Sequence, residues 1–141
     1  MDEAEARRRF CSAQVAVLST VDATGAPHAV PVTFVVAENT VWSAVDGKPK
    51  RATALRRHEN IRAQPRVTLL AQHWDADWSR LWWVRADGTA VLDDSEDTVR
   101  RVAGLLRAKY PQYHQVPVFG PVIEVRLLRW RGWAAADPTP G

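Results

Sequence analysis

The sequence is poor in several things, and each shortage narrows the reading. One cysteine, Cys11, stands among 141 residues, so no intrachain disulfide can staple the fold. The expected setting is a reducing cytoplasm. Cys11 itself reads as a packing residue at a helix end, because spacing gives it no catalytic partner. No run approaches the roughly 18 apolar residues of a membrane span. The polar start Met1-Asp2-Glu3-Ala4, the arginines Arg7-Arg8-Arg9 and the short stretch Ala13 to Val17, broken by Gln14, make a poor leader peptide. There is no GxGxxG, no phosphate-binding P-loop and no HExxH. The four histidines (His28, His58, His73, His114) lack metal-ligand spacing, so no metal is expected. No Ser/His/Asp order suggests a triad, and no catalytic side chain is assigned. An enzyme of this size without such groups needs a cofactor for the hard chemistry.

What is present fits one domain over residues 1–141, with a frayed tail from about 135. The content, 46% hydrophobic and 25% charged, is that of an ordinary globular protein. Charge is uneven. Lys48, Lys50, Arg51, Arg56, Arg57, Arg62 and Arg66 face one acid, Glu59, so residues 48–66 carry a net +6 in a chain of net +3. The remainder is therefore acidic, and the basicity belongs to one segment. Such a segment meets phosphate, carboxylate or nucleic acid.

The periodicity predicts a short helix over 2–12 and a buried strand over 14–21 (QVAVLSTV). A turn over 22–27 leads to a second strand over 28–37 and, after Glu38-Asn39, a third over 40–45. The chain thus opens as an antiparallel meander. A helix from near Arg51 to Arg62 ends before Pro65, with Leu55 and Ile61 facing inward. A strand follows over 66–73, then a loop over 74–79. A long strand covers 80–86 and 88–92, with a turn or bulge at Asp87-Gly88. A second helix runs from about Ser95 to Tyr110, its apolar residues Val99, Val102, Ala103, Leu106 and Tyr110 on one face. The final strand covers 121–130. The fold class is mainly β with peripheral helices: an antiparallel six- to seven-stranded split β-barrel.

Three features bear on function. The loop and helix start at Gly47-Lys48-Pro49-Lys50-Arg51 combine cations with unpaired helix amides, a setting for phosphate; a solvated basic loop is the alternative. Arg56 and Arg57 extend it toward a longer anion, or are exposed helix arginines. Pro31 removes a ladder donor from its strand, which marks either a barrel corner or a place where backbone groups meet a flat polar ring. Four of the seven tryptophans, Trp74, Trp78, Trp82 and Trp83, fall within ten residues. Trp82 and Trp83 must face opposite sides of a strand. Trp78, in a loop, reads as a ligand or partner contact.

These residues together resemble the pyridoxamine 5′-phosphate oxidase-like superfamily, the FMN-binding split barrels. The nearest resemblance is to actinobacterial members that bind the deazaflavin coenzyme F420. It covers residues 6 to 130. It rests on Gly25-Ala26-Pro27-His28, Trp42-Ser43-Ala44-Val45, Lys48-Pro49-Lys50-Arg51, Leu55-Arg56-Arg57, Asn60 with Pro65-Arg66-Val67, Asp77-Trp78-Ser79-Arg80 and Trp83-Val84-Arg85-Ala86-Asp87-Gly88. The resemblance implies a homodimer with cofactor sites in grooves between subunits. Lys50 and Arg51, assisted by Lys48, match positions that hold the cofactor phosphate. Val30, Pro31 and Val32 match the strand flanking the ring, and Ser43, Ala44 and Val45 the strand beneath it. Trp78 and Arg80 match positions supplied by the partner subunit, and Arg56 and Arg57 lie where an oligoglutamate tail would run. No match to the pyridoxal-contacting residues is found. The implied activity is F420-dependent hydride transfer to an electron-poor small molecule. The alternatives are an FMN-dependent oxidase or reductase of the same fold, and a non-enzymatic F420, flavin or haem binder. A nucleic-acid module explains the basic segment less well, and no membrane partner is expected.

Overall fold

Alternation of buried and half-buried residues along Ala16–Val21 sets the first strand, β1, with Ala16, Leu18 and Thr20 turned inward. The computed structural model of the chain describes residues 1–46 and 55–135. Its first helix, α1 (Glu3–Ser12), starts at Asp2, whose carboxylate accepts from the Glu5 amide at 2.8 Å. Its buried Phe10 packs on Phe34 and edge-on against Trp130, with ring centroids 4.6 and 5.1 Å apart.

The remaining strands among the described residues are β2 (Pro27–Val32), β3 (Val35–Ala37), β4 (Thr40–Asp46), β5 (Arg66–His73), β6 (Trp82–Asp93) and β7 (Val118–Ala134). Helix α2 (Arg56–Ala63) precedes β5, and α3 (Glu96–Lys109) joins β6 to β7. The seven strands form one antiparallel sheet in the order β2-β1-β5-β6-β7-β4-β3. Its two edge strands, β2 and β3, are consecutive in sequence, and Val32 and Val35 are joined by two residues. Three peptide steps reach at most about 10 Å, so the sheet must curl until its edges nearly meet. That is the split barrel expected from the pattern.

β6 and β7 are long enough to serve both halves. β5 pairs with Trp82–Thr89 of β6, while β4 pairs with Val118–Arg126 of β7. Between Asp87 and Gly88 the pairing with β7 slips, leaving Leu128 as an extra residue. A side chain at Gly88 would collide with the Arg126 carbonyl, so the expected irregularity needs glycine there. A second slip sets Gly120, Pro121 and Val122 of β7 against Ala44 alone of β4, and the Gly120–Pro121 peptide is cis. One hydrophobic cluster fills the barrel around Phe10, Phe34, Leu18, Leu69 and Val84. A second, with Trp42, Val102, Leu106, Tyr110 and Val122, seats α3.

Two expectations are corrected. The single strand over 28–37 is two strands on opposite edges of the sheet, so the opening is two hairpins rather than a continuous meander. The final strand runs from Val118 to Ala134, well beyond 121–130. Helix α2 begins at Arg56; the start expected near Arg51 lies outside the described residues, as does the tail beyond 135.

Candidate functional site

Where the two sheet edges approach, the backbone of Thr33 and Phe34 leaves the ladder, and side chains replace it. Ser43 on β4 is buried, and its hydroxyl donates to the Thr33 carbonyl at 2.8 Å. The Tyr110 hydroxyl accepts from the Phe34 amide at 3.1 Å. Its own proton faces the Gln14 carbonyl at 2.9 Å and the Phe34 carbonyl at 3.0 Å. Tyr113, in the short 3₁₀ turn Pro111–His114, has its hydroxyl 2.6 Å from that of Thr33. Burial of Tyr110 pushes its phenol pKa up, only partly countered by the Phe34 amide. It therefore stays neutral and acts as a hydrogen-bond bridge.

This junction brings together two of the groups read from the sequence. Val30, Pro31 and Val32 lie on the edge strand β2, and Ser43 is tied to Thr33, the residue after Val32. Along β2 the side chains alternate. Val32 is buried and Val30 packs against the barrel core, while Pro31 is exposed beyond its β1 partner Val17. What β2 offers outward is thus backbone and the Pro31 ring. Ala44 is half-buried against the second cluster, opposite the β7 irregularity, and Val45 is half-buried beside it.

Lys48, Lys50 and Arg51 lie outside the described residues. Arg56 opens α2 and is exposed. It stands near the β1–β2 turn, where Asp22 accepts from the Thr24 hydroxyl and from the Ala26 and Thr24 amides. Those bonds and the Arg56 charge hold the Asp22 carboxyl below its ordinary value. Arg57 is half-buried on the same helix. The junction at Val32 and the Arg56 end are thus at opposite ends of β2, separated by five residue steps or about 17 Å.

Trp78 and Arg80 do not join this arrangement within one chain. They lie in the β5–β6 loop, on the same rim as Val32 but about 10 Å away across β1 and β5. Trp74 and Trp78 are 71% and 68% exposed, their rings 6.1 Å apart. Arg80 reaches toward Asp75 at 3.8 Å. Asp77 caps this turn through Ser79, which lowers its carboxyl pKa. Trp82 and Trp83 face opposite ways as expected. Trp82 stacks on His73 and packs against the core, and Trp83 lies beneath Arg85.

The sequence reading missed Tyr113, Gln14 and Gln112 at the junction. Helical spacing marks Tyr110 only as an apolar position of α3, and its hydroxyl is the one further signal the sequence carries. It also missed the polar underside of α2. There the Asn60 amide donates to Thr20 at 3.0 Å, and His58, 2% exposed, finds no hydrogen-bond partner among the described residues for either ring nitrogen. Burial first, then the charges of Arg57 and Arg62, lowers the His58 pKa to about 4. Among the described residues there is no group of three or more His, Cys, Asp or Glu placed to hold a metal ion. No helix among them is long and apolar enough to cross a membrane.

A family model described as pyridoxamine 5′-phosphate oxidase matches residues 2–134. No curated protein matches the sequence. Among solved structures, the chain is similar to a conserved hypothetical protein of Mycobacterium tuberculosis, with TM-score 0.75 and 22% identity over 100% of this chain and 91% of that one. It is also similar to an FAD-binding protein of Mesorhizobium loti, with TM-score 0.67 and 15% identity over 94% and 92% of the two chains. A third similar structure is the haem storage protein HutZ of Vibrio cholerae, with TM-score 0.70 and 14% identity over 94% and 93%. At these identities the likenesses show the fold.

Proposed function

The chain belongs to the pyridoxamine 5′-phosphate oxidase family, and from that premise we propose that it is an oxidoreductase using coenzyme F420 to reduce an electron-poor small molecule. The observation that carries the reading is the open edge of β2. Half of an edge strand's backbone groups point away from the sheet, and here Val30, Pro31 and Val32 present that edge beside the buried Ser43. A flat heteroaromatic ring with a polar rim needs such a row of fixed donors and acceptors. At the other end of β2, Arg56 and Arg57 follow the basic segment of Lys48, Lys50 and Arg51, so cations stand where an anionic extension of the ring would run.

The β2 edge and Ser43 suit such a group, and Lys48, Lys50 and Arg51, which lie outside the described residues, would hold its phosphate, an unreacting part whose grip would position the reacting ring. The β2 backbone orients the ring, and Ser43 fixes the adjoining β4 by its bond to Thr33. When bound, the deazaflavin supplies a hydride, and solvent supplies the proton that completes the reduction. In a homodimer, Trp78 and Arg80 of the second subunit cover the groove and exclude water. The Trp78 exposure and the distance from β2 within one chain favour that role.

Anaerobic mixing of the protein with reduced F420 and menadione or 2-cyclohexenone tests the activity. Protein-dependent return of the oxidised F420 absorbance is expected. Bound F420 without turnover across an acceptor panel would instead support a carrier. An FMN enzyme of the same fold has no oligoglutamate tail to hold. Changing Arg56 and Arg57 to alanine would then leave cofactor affinity unaltered, whereas the F420 reading requires it to fall.

A further inference from the structure

Beside the junction lies a pocket of about 360 Å³ lined by Gln14, Thr33, Tyr110, Gln112, Tyr113 and Val116. Its position is fixed by the fold: Thr33 is the residue that follows the β2 edge, so the pocket opens directly past the end of Val30–Val32. Its chemistry is unusual for a chain so rich in arginine. Among the described residues that line it there is no cation and no carboxylate. Two basic side chains adjoin its lining residues without lining it themselves: Arg107 donates to the Tyr113 carbonyl at 3.3 Å, and the Lys109 amine, buried and without a hydrogen-bond partner among the described residues, rests over the Phe34 and Tyr110 rings at 3.7 and 5.2 Å from their centres. The polar groups that remain are the side-chain amides of Gln14 and Gln112, which have no hydrogen-bond partner among the described residues, and the paired hydroxyls of Thr33 and Tyr113. The Tyr110 ring and Val116 supply the apolar wall.

We infer that this pocket receives the substrate, and that the substrate is an uncharged one- or two-ring compound bearing a carbonyl or amide. The inference rests on the reading that the cofactor ring lies along β2, which makes the pocket the space next to the reacting face. The volume is at the small end of ligand sites. A carboxamide both donates and accepts, so two of them recognise a carbonyl or amide edge. A phosphate or carboxylate would give up its hydration for neutral donors alone, without the charge-assisted bonds that normally compensate. The pocket thus selects against the phosphate-bearing substrate that the family's description names.

The test uses the full chain without cofactor and three matched probes: 2-naphthamide, 2-naphthoate and 2-naphthyl phosphate. In ¹⁵N-labelled protein, 2-naphthamide should move the side-chain amide resonances of Gln14 and Gln112 and bind at least tenfold more tightly than either anion. Gln14→Leu and Gln112→Leu should each weaken 2-naphthamide by roughly fivefold, the value of one neutral hydrogen bond. Gln112→Arg should reverse the preference toward 2-naphthyl phosphate. Both glutamines are exposed, so these variants are expected to fold. The inference is overturned if no probe binds, if the anions bind as well as the amide, or if the shifts fall elsewhere. A failure of F420 to bind in a separate titration would remove the hydride-transfer role and leave the pocket's selectivity standing.

Discussion

Tyr110 shows how one hydroxyl can stand in for a stretch of sheet. Phe34 is fully buried, and its amide and carbonyl have no strand partner at the split, so both turn to the Tyr110 oxygen. Tyr110→Phe leaves a buried amide unpaired, which costs about 1–3 kcal/mol. Ser43→Ala removes one bond to a carbonyl that has a second lone pair, and should cost about 1 kcal/mol or less. Urea denaturation of the two variants should rank them in that order; no loss from Tyr110→Phe would mean that Tyr110 works through packing alone. The residue scale is also where the sequence was least legible. Tyr110 fits the apolar stripe of α3 at helical spacing, and Phe34 fits a strand. Nothing local says that the two meet across 76 positions, and that pairing breaks the strand expected over 28–37.

Among the elements, α2 meets the barrel through a polar underside, and it is the element whose stability should follow pH. His58 titrates near 4 in the fold against about 6.5 in an unfolded chain. The folded state therefore binds fewer protons, and its stability is full above about 6.5 and declines as the pH falls from there to 4. The loss attributable to this one group is at most on the order of 3 kcal/mol. His58→Phe should flatten the stability profile between pH 6.5 and 4; an unchanged slope would assign the acid sensitivity to other groups. Most elements were readable because their periods are clean. The strand over 66–73 appears with those bounds, since Val67, Leu69 and Ala71 alternate inward. Helix α3 follows its apolar face. The ends of β7 were not readable, because Pro121 and Gly132 look like breaks when the partner strand is unknown.

At the scale of the whole molecule, the curled sheet sets Arg56 and Val32 at opposite ends of β2 and leaves Trp78 and Arg80 on the Val32 rim, in a loop that starts two strands away from β2. The proposed dimer resolves this separation by building each site from two chains, which a mixing experiment can test. Lys50→Ala/Arg51→Ala chains and Trp78→Ala/Arg80→Ala chains should each bind cofactor poorly. Random reassociation should restore intact sites to about a quarter of the total, because each mixed dimer has one site free of changes. No recovery would place both groups in the same chain's site. The most direct measurement is a parallel fluorescence titration of the protein with F420 and with FMN, repeated on Lys50→Ala/Arg51→Ala. The account predicts saturable F420 binding stronger than FMN binding. The double change should weaken it by up to several kcal/mol, each charge-assisted bond contributing about 1.5–3. Binding of neither compound, or an affinity indifferent to both substitutions, would contradict it.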